Sequence, residues 1–127
     1  MIRNLLLVED GKYLRLAIKR VLTDACFIVA EAVDGEEALL LARKNQPDLI
    51  ILDMLLPRLG GEQVLRALRQ DPVTARIPVI VVSSLPECNA KKLKEDGATA
   101  YVEKSKLCLT GGGEILVRVV NAALRQA

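Results

Sequence analysis

Five short apolar runs alternate with five segments of helical period, and that alternation leaves the chain very few folds. "NLLLV" (4–8), "FIVAEA" (27–32), "LIIL" (49–52), "PVIVVS" (78–83) and "TAYVE" (99–103) read as strands. Three of them are near-continuous Val/Ile/Leu runs, the pattern of strands covered on both faces of a parallel sheet. Between the strands, "YLRLAIKRVLTDA" puts Leu14, Ala17, Ile18, Val21 and Leu22 on one stripe, with Arg15, Lys19 and Arg20 outside it. "DGEEALLLARKNQ" offers Asp34 as N-cap and Glu36 and Glu37 in the first turn, and stops before Pro47. "GEQVLRALRQD" stops before Pro72, "ECNAKKLKEDG" ends at Gly97, and "GEILVRVVNAALRQ" closes the chain.

Strand and helix alternating five times imply right-handed crossovers and an open parallel α/β sheet with helices on both faces. At 127 residues this is one domain, residues 1–127, with no internal linker or repeat. Ligands on such sheets bind at the carboxyl ends of the strands, beside the point where strand order reverses.

Composition removes several functions. One Phe, two Tyr and no Trp leave no stacking platform for single-stranded nucleic acid. The net charge of +2 is small, and Lys and Arg (Arg15, Lys19, Arg20; Arg66, Arg69; Lys91, Lys92, Lys94) are scattered as on solvated helix faces. Three Cys with no His argue against a zinc site or a disulfide framework, and for a reducing compartment. No apolar run has membrane-spanning length. The protein is expected in the cytoplasm, without membrane or direct nucleic-acid partners.

The polar residues that follow the strands carry the chemistry. Glu9 and Asp10 follow the first strand, Asp53 the third, Ser83 and Ser84 close the fourth, and Lys104 follows the fifth. Asp53 is the odd one, an acid between Leu52 and Met54 in the almost wholly apolar run "DLIILDMLLP" (48–57). An ionised carboxylate in such a place costs several kcal/mol, roughly, unless it is paired. Carboxylates ~4 Å apart repel by about 4 kcal/mol at an effective dielectric near 20, so three of them call for a cation. Oxygen ligands without His or Cys suit Mg²⁺. An aspartate with a metal ion, a lysine and a hydroxyl around it is a site for phosphoryl transfer.

"LLLVEDGKYLRLAI", "PDLIILDMLLPRLGGEQVLRALR", "IPVIVVSS" and "GATAYVEKS" together resemble the receiver domain of two-component response regulators, of the chemotaxis-receiver kind, over essentially the full chain. The resemblance implies a flavodoxin-like three-layer sandwich, with strand order 2-1-3-4-5 and five helices. It implies Asp53 as phosphoacceptor, Asp10 as a direct Mg²⁺ ligand, Glu9 as a ligand mainly through water, and the Leu55 backbone carbonyl as a further ligand. Ser83 matches the hydroxyl that bonds a phosphoryl oxygen, Lys104 the lysine that pairs with the phosphoryl group, and Tyr101 the switch aromatic. Pro57 and Gly61 match the shaped loop after the acceptor, and Ser84 the small residue that leaves access to it. The chain departs from the family after Lys104, where Ser105 stands in place of the usual cis proline.

The function so implied is a signalling switch, not a conventional enzyme, that catalyses its own phosphorylation. Leu55 and Leu85, each two residues beyond a site residue, are apolar, which implies slow dephosphorylation. The partners would be a histidine kinase or histidine phosphotransfer protein, and a downstream protein on the face of helix 4, strand 5 and helix 5. A homodimer formed on phosphorylation is compatible with this reading. Two other classes are a flavodoxin-like small-molecule binder and a phosphorylation-independent interaction module of the same fold. The first should have a Gly/Ser/Thr-rich phosphate loop where "VEDGKY" offers acids. No effector follows Ala127 in this sequence, which leaves open a stand-alone receiver or a piece of a longer regulator.

Overall fold

The strands form where the apolar runs place them. In a computed structural model, which describes residues 2–84, 90–107 and 113–126, β1 is Asn4–Val8, β2 Ile28–Ala32, β3 Leu49–Asp53, β4 Val79–Ser83 and β5 Ala100–Glu103. All pair in parallel in the order β2-β1-β3-β4-β5. The three aliphatic runs take the central positions, and β3 and β4 are buried at every residue. β2 with Glu31 and β5 with Glu103 lie at the edges, where one side needs no sheet partner, while the acid of central β3, Asp53, stands at that strand's last position.

Helices cover both faces: α1 Lys12–Asp24, α2 Gly35–Asn45, α3 Gly61–Gln70, α4 Ala90–Glu95 and α5 Glu114–Gln126. The segment expected to open α4, residues 87–89, lies outside the described residues. Asp34 caps α2 by accepting the Glu37 N–H at 2.8 Å, with Glu36 and Glu37 in the first turn and Arg43 and Lys44 in the last, which suits the helix dipole. Gln46 then takes a left-handed conformation and ends the helix before Pro47.

Strand alternation divides the core in two. Leu6, Val8, Ile50, Leu52, Val79 and Val81 face α2, α3 and α4 and meet Ala38, Ala42, Val64, Leu65, Leu68 and Leu93. Leu5, Leu7, Leu49, Ile51, Ile80, Val82 and Val102 face α1 and α5, against Ile18, Leu22, Leu116, Val120 and Ala123. Each fully buried Leu or Ile contributes about 1.5–3 kcal/mol through the water it excludes. These two layers hold the strand ends in fixed register.

Candidate functional site

Because β1 connects outward to β2 and the chain then crosses to β3 on the other side, the order reverses between β1 and β3. The carboxyl ends of those two strands bring Glu9, Asp10 and Asp53 together, with one carboxylate oxygen from each within 4.8 Å of the other two. Glu9 and Asp53 are buried, at 3% and 2% exposure, while Asp10 is open to solvent.

Lys104 closes the group from the fifth strand. Its Nζ lies 3.2 Å from Asp53 Oδ2 and 3.4 Å from Glu9 Oε1. The Asp53 Oδ1 accepts the Leu55 N–H at 3.3 Å, and Glu9 Oε2 accepts the Gly11 N–H at 3.0 Å. Burial pushes the Glu9 carboxyl above the ordinary carboxylate range; the Asp53 charge adds to this, and the Gly11 amide and Lys104 oppose it. For Lys104, burial lowers the ammonium pKa, but Asp53 and then Glu9 outweigh it and hold the group above its ordinary value. Two buried acids and one exposed acid against one ammonium leave the cluster negative. Three oxygen ligands of this kind suit a hard divalent cation with room for water and a phosphate oxygen.

The departure at Ser105 does not displace the lysine. All peptide bonds among the described residues are trans, and Lys104–Lys106 form a short 3-10 turn that leads the Lys104 side chain back over Asp53. Ser83 is fully buried at the end of β4, one residue past Val82, the register partner of Asp53. Tyr101, opposite Val81, is half-buried against the α2–α3–α4 side of the sheet. By alternation Ser83 shares that side with Val81, while Glu9 and Asp53 continue the series of Leu7 and Ile51 that faces α1 and α5.

The loop after Asp53 is shaped by close backbone approach. A Cβ on Gly61 would lie 2.5 Å from the Asp53 carbonyl oxygen and 2.7 Å from Met54 Cα, so glycine lets α3 start directly beside the end of β3. Pro57 and Leu59 form a tight turn in that loop, Leu59 N–H donating to the Pro57 carbonyl at 2.8 Å. The Leu55 side chain is 60% exposed beside it. Leu85, Cys88 and Cys108 lie outside the described residues; Cys26 is exposed and forms no disulfide.

Two arginines differ from the expectation of solvated helix faces. The Arg15 side chain is only 18% exposed and pairs through Nε with Glu31 Oε1 at 3.4 Å. Its Nη1 donates to the carbonyls of Glu9 and Asp10 at 3.2 and 3.3 Å. Arg69 turns its guanidinium onto the carbonyls of Gly97, Ala75 and Ile77 at 2.9, 3.1 and 2.7 Å. Both lie off the apolar stripes of their helices, but their long stems reach back to satisfy backbone oxygens.

The family model of the response regulator receiver domain matches residues 5–107. The gliding motility regulatory protein of Myxococcus xanthus is 37% identical over 119 residues, 93% of this chain and 15% of that protein. The transcriptional regulatory protein AfsQ1 of Streptomyces coelicolor is 35% identical over 124 residues, 97% of this chain and 52% of that protein. The chain therefore spans about half or less of the length of these curated relatives. Among solved structures, the phosphorylated cyanobacterial phytochrome response regulator RcpA superposes with a TM-score of 0.82 at 29% identity, covering 100% of this chain and 97% of that one. With the sheet order, the acids at the switch point and the lysine above them, these likenesses establish that the chain belongs to the response regulator receiver domain family.

Proposed function

We propose that the chain, as one unit over residues 1–127, is a phospho-accepting switch that takes a phosphoryl group from a histidine kinase or phosphotransfer protein onto Asp53. The observation that carries this reading is the Lys104 ammonium lying between Asp53 and Glu9 at the end of a buried strand. An Asp53 oxygen forms the new O–P bond as the P–N bond of the phosphohistidine breaks, and the imidazole nitrogen keeps the electron pair. Lys104 then pairs with the incoming phosphoryl oxygens, and the Ser83 hydroxyl donates to another. Asp10 and Asp53, Glu9 mainly through water, and the Leu55 carbonyl would hold Mg²⁺. Bound there, the metal supplies charge neutralisation for the phosphoryl oxygens. The carboxylate set fits it, because Lys104 alone leaves the three acids undercompensated.

The response follows from the charge that arrives. Phosphorylated Asp53 carries about two negative charges. Ser83 and Tyr101, on the α4 side of the sheet, would move with it and shift the population of the face built from α4, β5 and α5. That face is the proposed seat of a downstream protein or a second copy of the chain. The phosphorylated state of the relative RcpA supports the assignment. Acetyl phosphate with Mg²⁺ should produce an acid-labile phosphoprotein from the native chain and none from Asp53→Asn; undiminished labelling of that variant would sink the reading. Mg²⁺-dependent binding of beryllofluoride separates the switch from a module that works without phosphate.

A further inference from the structure

Glu9 and Asp10 occupy the short connection between β1 and α1, and their carboxylates can only be as well placed as that backbone. The sheet holds its first half: the Glu9 N–H donates to the Ala32 carbonyl at 3.0 Å. Beyond that point β2 has ended, and the carbonyls of Glu9 and Asp10 have left the sheet ladder. Gly11 caps α1 with no side-chain hydrogen bond, and no acidic residue stands in the first turn of the helix. Nor does burial fix Asp10, which is exposed.

Arg15 makes the contacts that are missing. One nitrogen, Nη1, donates to both carbonyls, to that of Glu9 at 3.2 Å and that of Asp10 at 3.3 Å. Its own backbone N–H binds the Gly11 carbonyl at 2.9 Å. The guanidinium plane is held in turn by Glu31 Oε1 at 3.4 Å, and the other Glu31 oxygen is fixed by Lys19 Nζ at 3.1 Å. Glu31 sits opposite Leu7 in the β1–β2 register, two residues before Glu9 on the same side of the sheet. A chain of contacts thus runs from β2 through Glu31 and Arg15 to the two carbonyls whose residues carry the acids.

We propose that Arg15 is a positioning residue for Mg²⁺ binding, acting through the backbone of Glu9 and Asp10; this rests on the metal-dependent reading of the site above. The sign of its effect distinguishes it from a bystander charge. As a cation near a divalent metal site, Arg15 repels the metal, so by charge alone its neutralisation would tighten binding. As the clamp on Glu9 and Asp10, its loss weakens binding, because groups that orient metal ligands typically contribute about 10–100-fold in affinity. Lysine keeps the charge but not the planar fork that reaches two carbonyls and a carboxylate at once.

The test is calorimetric titration of Mg²⁺ into the full chain and into Arg15→Gln and Arg15→Lys. Amide hydrogen exchange at Gly11 is followed in metal-free buffer, and acetyl phosphate labelling is followed against Mg²⁺ concentration. The expected result is about tenfold weaker Mg²⁺ binding in Arg15→Gln and a clear loss in Arg15→Lys. Gly11 exchange should be faster in both, and labelling should recover its maximal rate at saturating Mg²⁺. Tighter or equal binding by Arg15→Gln, or wild-type affinity in Arg15→Lys, overturns the proposal; should Arg15→Gln fail to fold, Arg15→Lys decides alone. If the unsubstituted chain binds no Mg²⁺, the metal-dependent reading itself falls, and this inference with it.

Discussion

The Lys104 ammonium lies 3.2 Å from Asp53 Oδ2, a carboxylate only 2% exposed, and the same nitrogen serves Glu9. Replacing it by methionine keeps the stem and leaves two buried acids without their cation. Lys104→Met should therefore lower stability by about 1.5–3 kcal/mol at neutral pH, the usual range for hydrogen bonds to charged groups. Its pKa is raised in the folded state, so its contribution is complete below the unfolded value of 10.5 and lost as pH rises through the folded value. Urea unfolding from pH 7 to 11 should show a constant gap between the two proteins that narrows only above about pH 10.5.

Glu9 has the opposite pH signature. Its carboxyl is raised from 4.5 chiefly by burial, so the folded protein holds the proton more tightly than the unfolded chain. Ionised Glu9 therefore costs stability, a cost absent below 4.5 and complete once pH exceeds the raised folded value. In metal-free buffer, the native chain should lose stability relative to Glu9→Gln as pH rises from about 4.5 to neutrality. Added Mg²⁺ should reverse the order at neutral pH, because a ligand that binds only the folded state stabilises it. Thermal melts with chelator and with Mg²⁺ check both signs.

Gly61 is the point where α3 and β3 touch. Alanine there would press a methyl group against the Asp53 carbonyl oxygen and Met54 Cα, both of them backbone. Gly61→Ala should cost about 1–3 kcal/mol, the usual range for overpacking, and should slow acetyl phosphate labelling by displacing Asp53. A variant that is as stable and as readily phosphorylated as the native chain would show that α3 can shift freely against β3.

The strands were legible because their apolar runs alternate with segments of helical period, while their order was implied by the family resemblance and not by composition. In the structure the aliphatic runs hold the centre, and the two runs carrying Glu31 and Glu103 take the edges. Glu9, Asp53 and Lys104 were legible for a related reason: the residue at which an apolar run stops is the residue delivered to the sheet rim. Arg15 and Arg69 were not. Helical period says only that they leave the apolar stripe, and their partners come from segments far along the chain, Glu31 for one and Gly97 for the other. The nearest signal for Arg15 was Glu31 itself, an acid in a strand whose alternation aims it at α1.

Arg69 offers a test of that lesson away from the site. Its guanidinium is half-buried, and burial lowers its pKa; its three carbonyl partners come from the α3–β4 connection and from Gly97 after α4. Gly97, at φ +110, also leaves room for the Arg69 stem, 2.7 Å from where a Cβ would stand. Arg69→Met should destabilise the fold by about 1.5–3 kcal/mol. It should also speed amide exchange around Gly97 more than in β1 or β3, because the lost bonds tie the end of α4 to the rest of the domain. Exchange that rises uniformly across the molecule would mean that Arg69 contributes to global stability alone.

On the proposed function, the lifetime of the phosphorylated state should turn on Leu55. Hydrolysis needs a water held in line with the phosphorus, opposite the Asp53 oxygen. Leu55 stands two residues beyond Asp53, 60% exposed on the loop that donates an N–H to Asp53, and its side chain offers that water no hydrogen bond. Leu85, at the matching distance from Ser83, is apolar too, though it lies outside the described residues. Dephosphorylation of the native chain should be slow. Replacing both leucines, as Leu55→Asn with Leu85→Gln, should shorten the half-life by on the order of tenfold, since orienting a reactant is among the larger contributions to a rate. The decay of acid-labile label after the phosphodonor is removed measures it directly. An unchanged half-life in the double variant would show that access to the phosphorus, not the orientation of the attacking water, sets the rate.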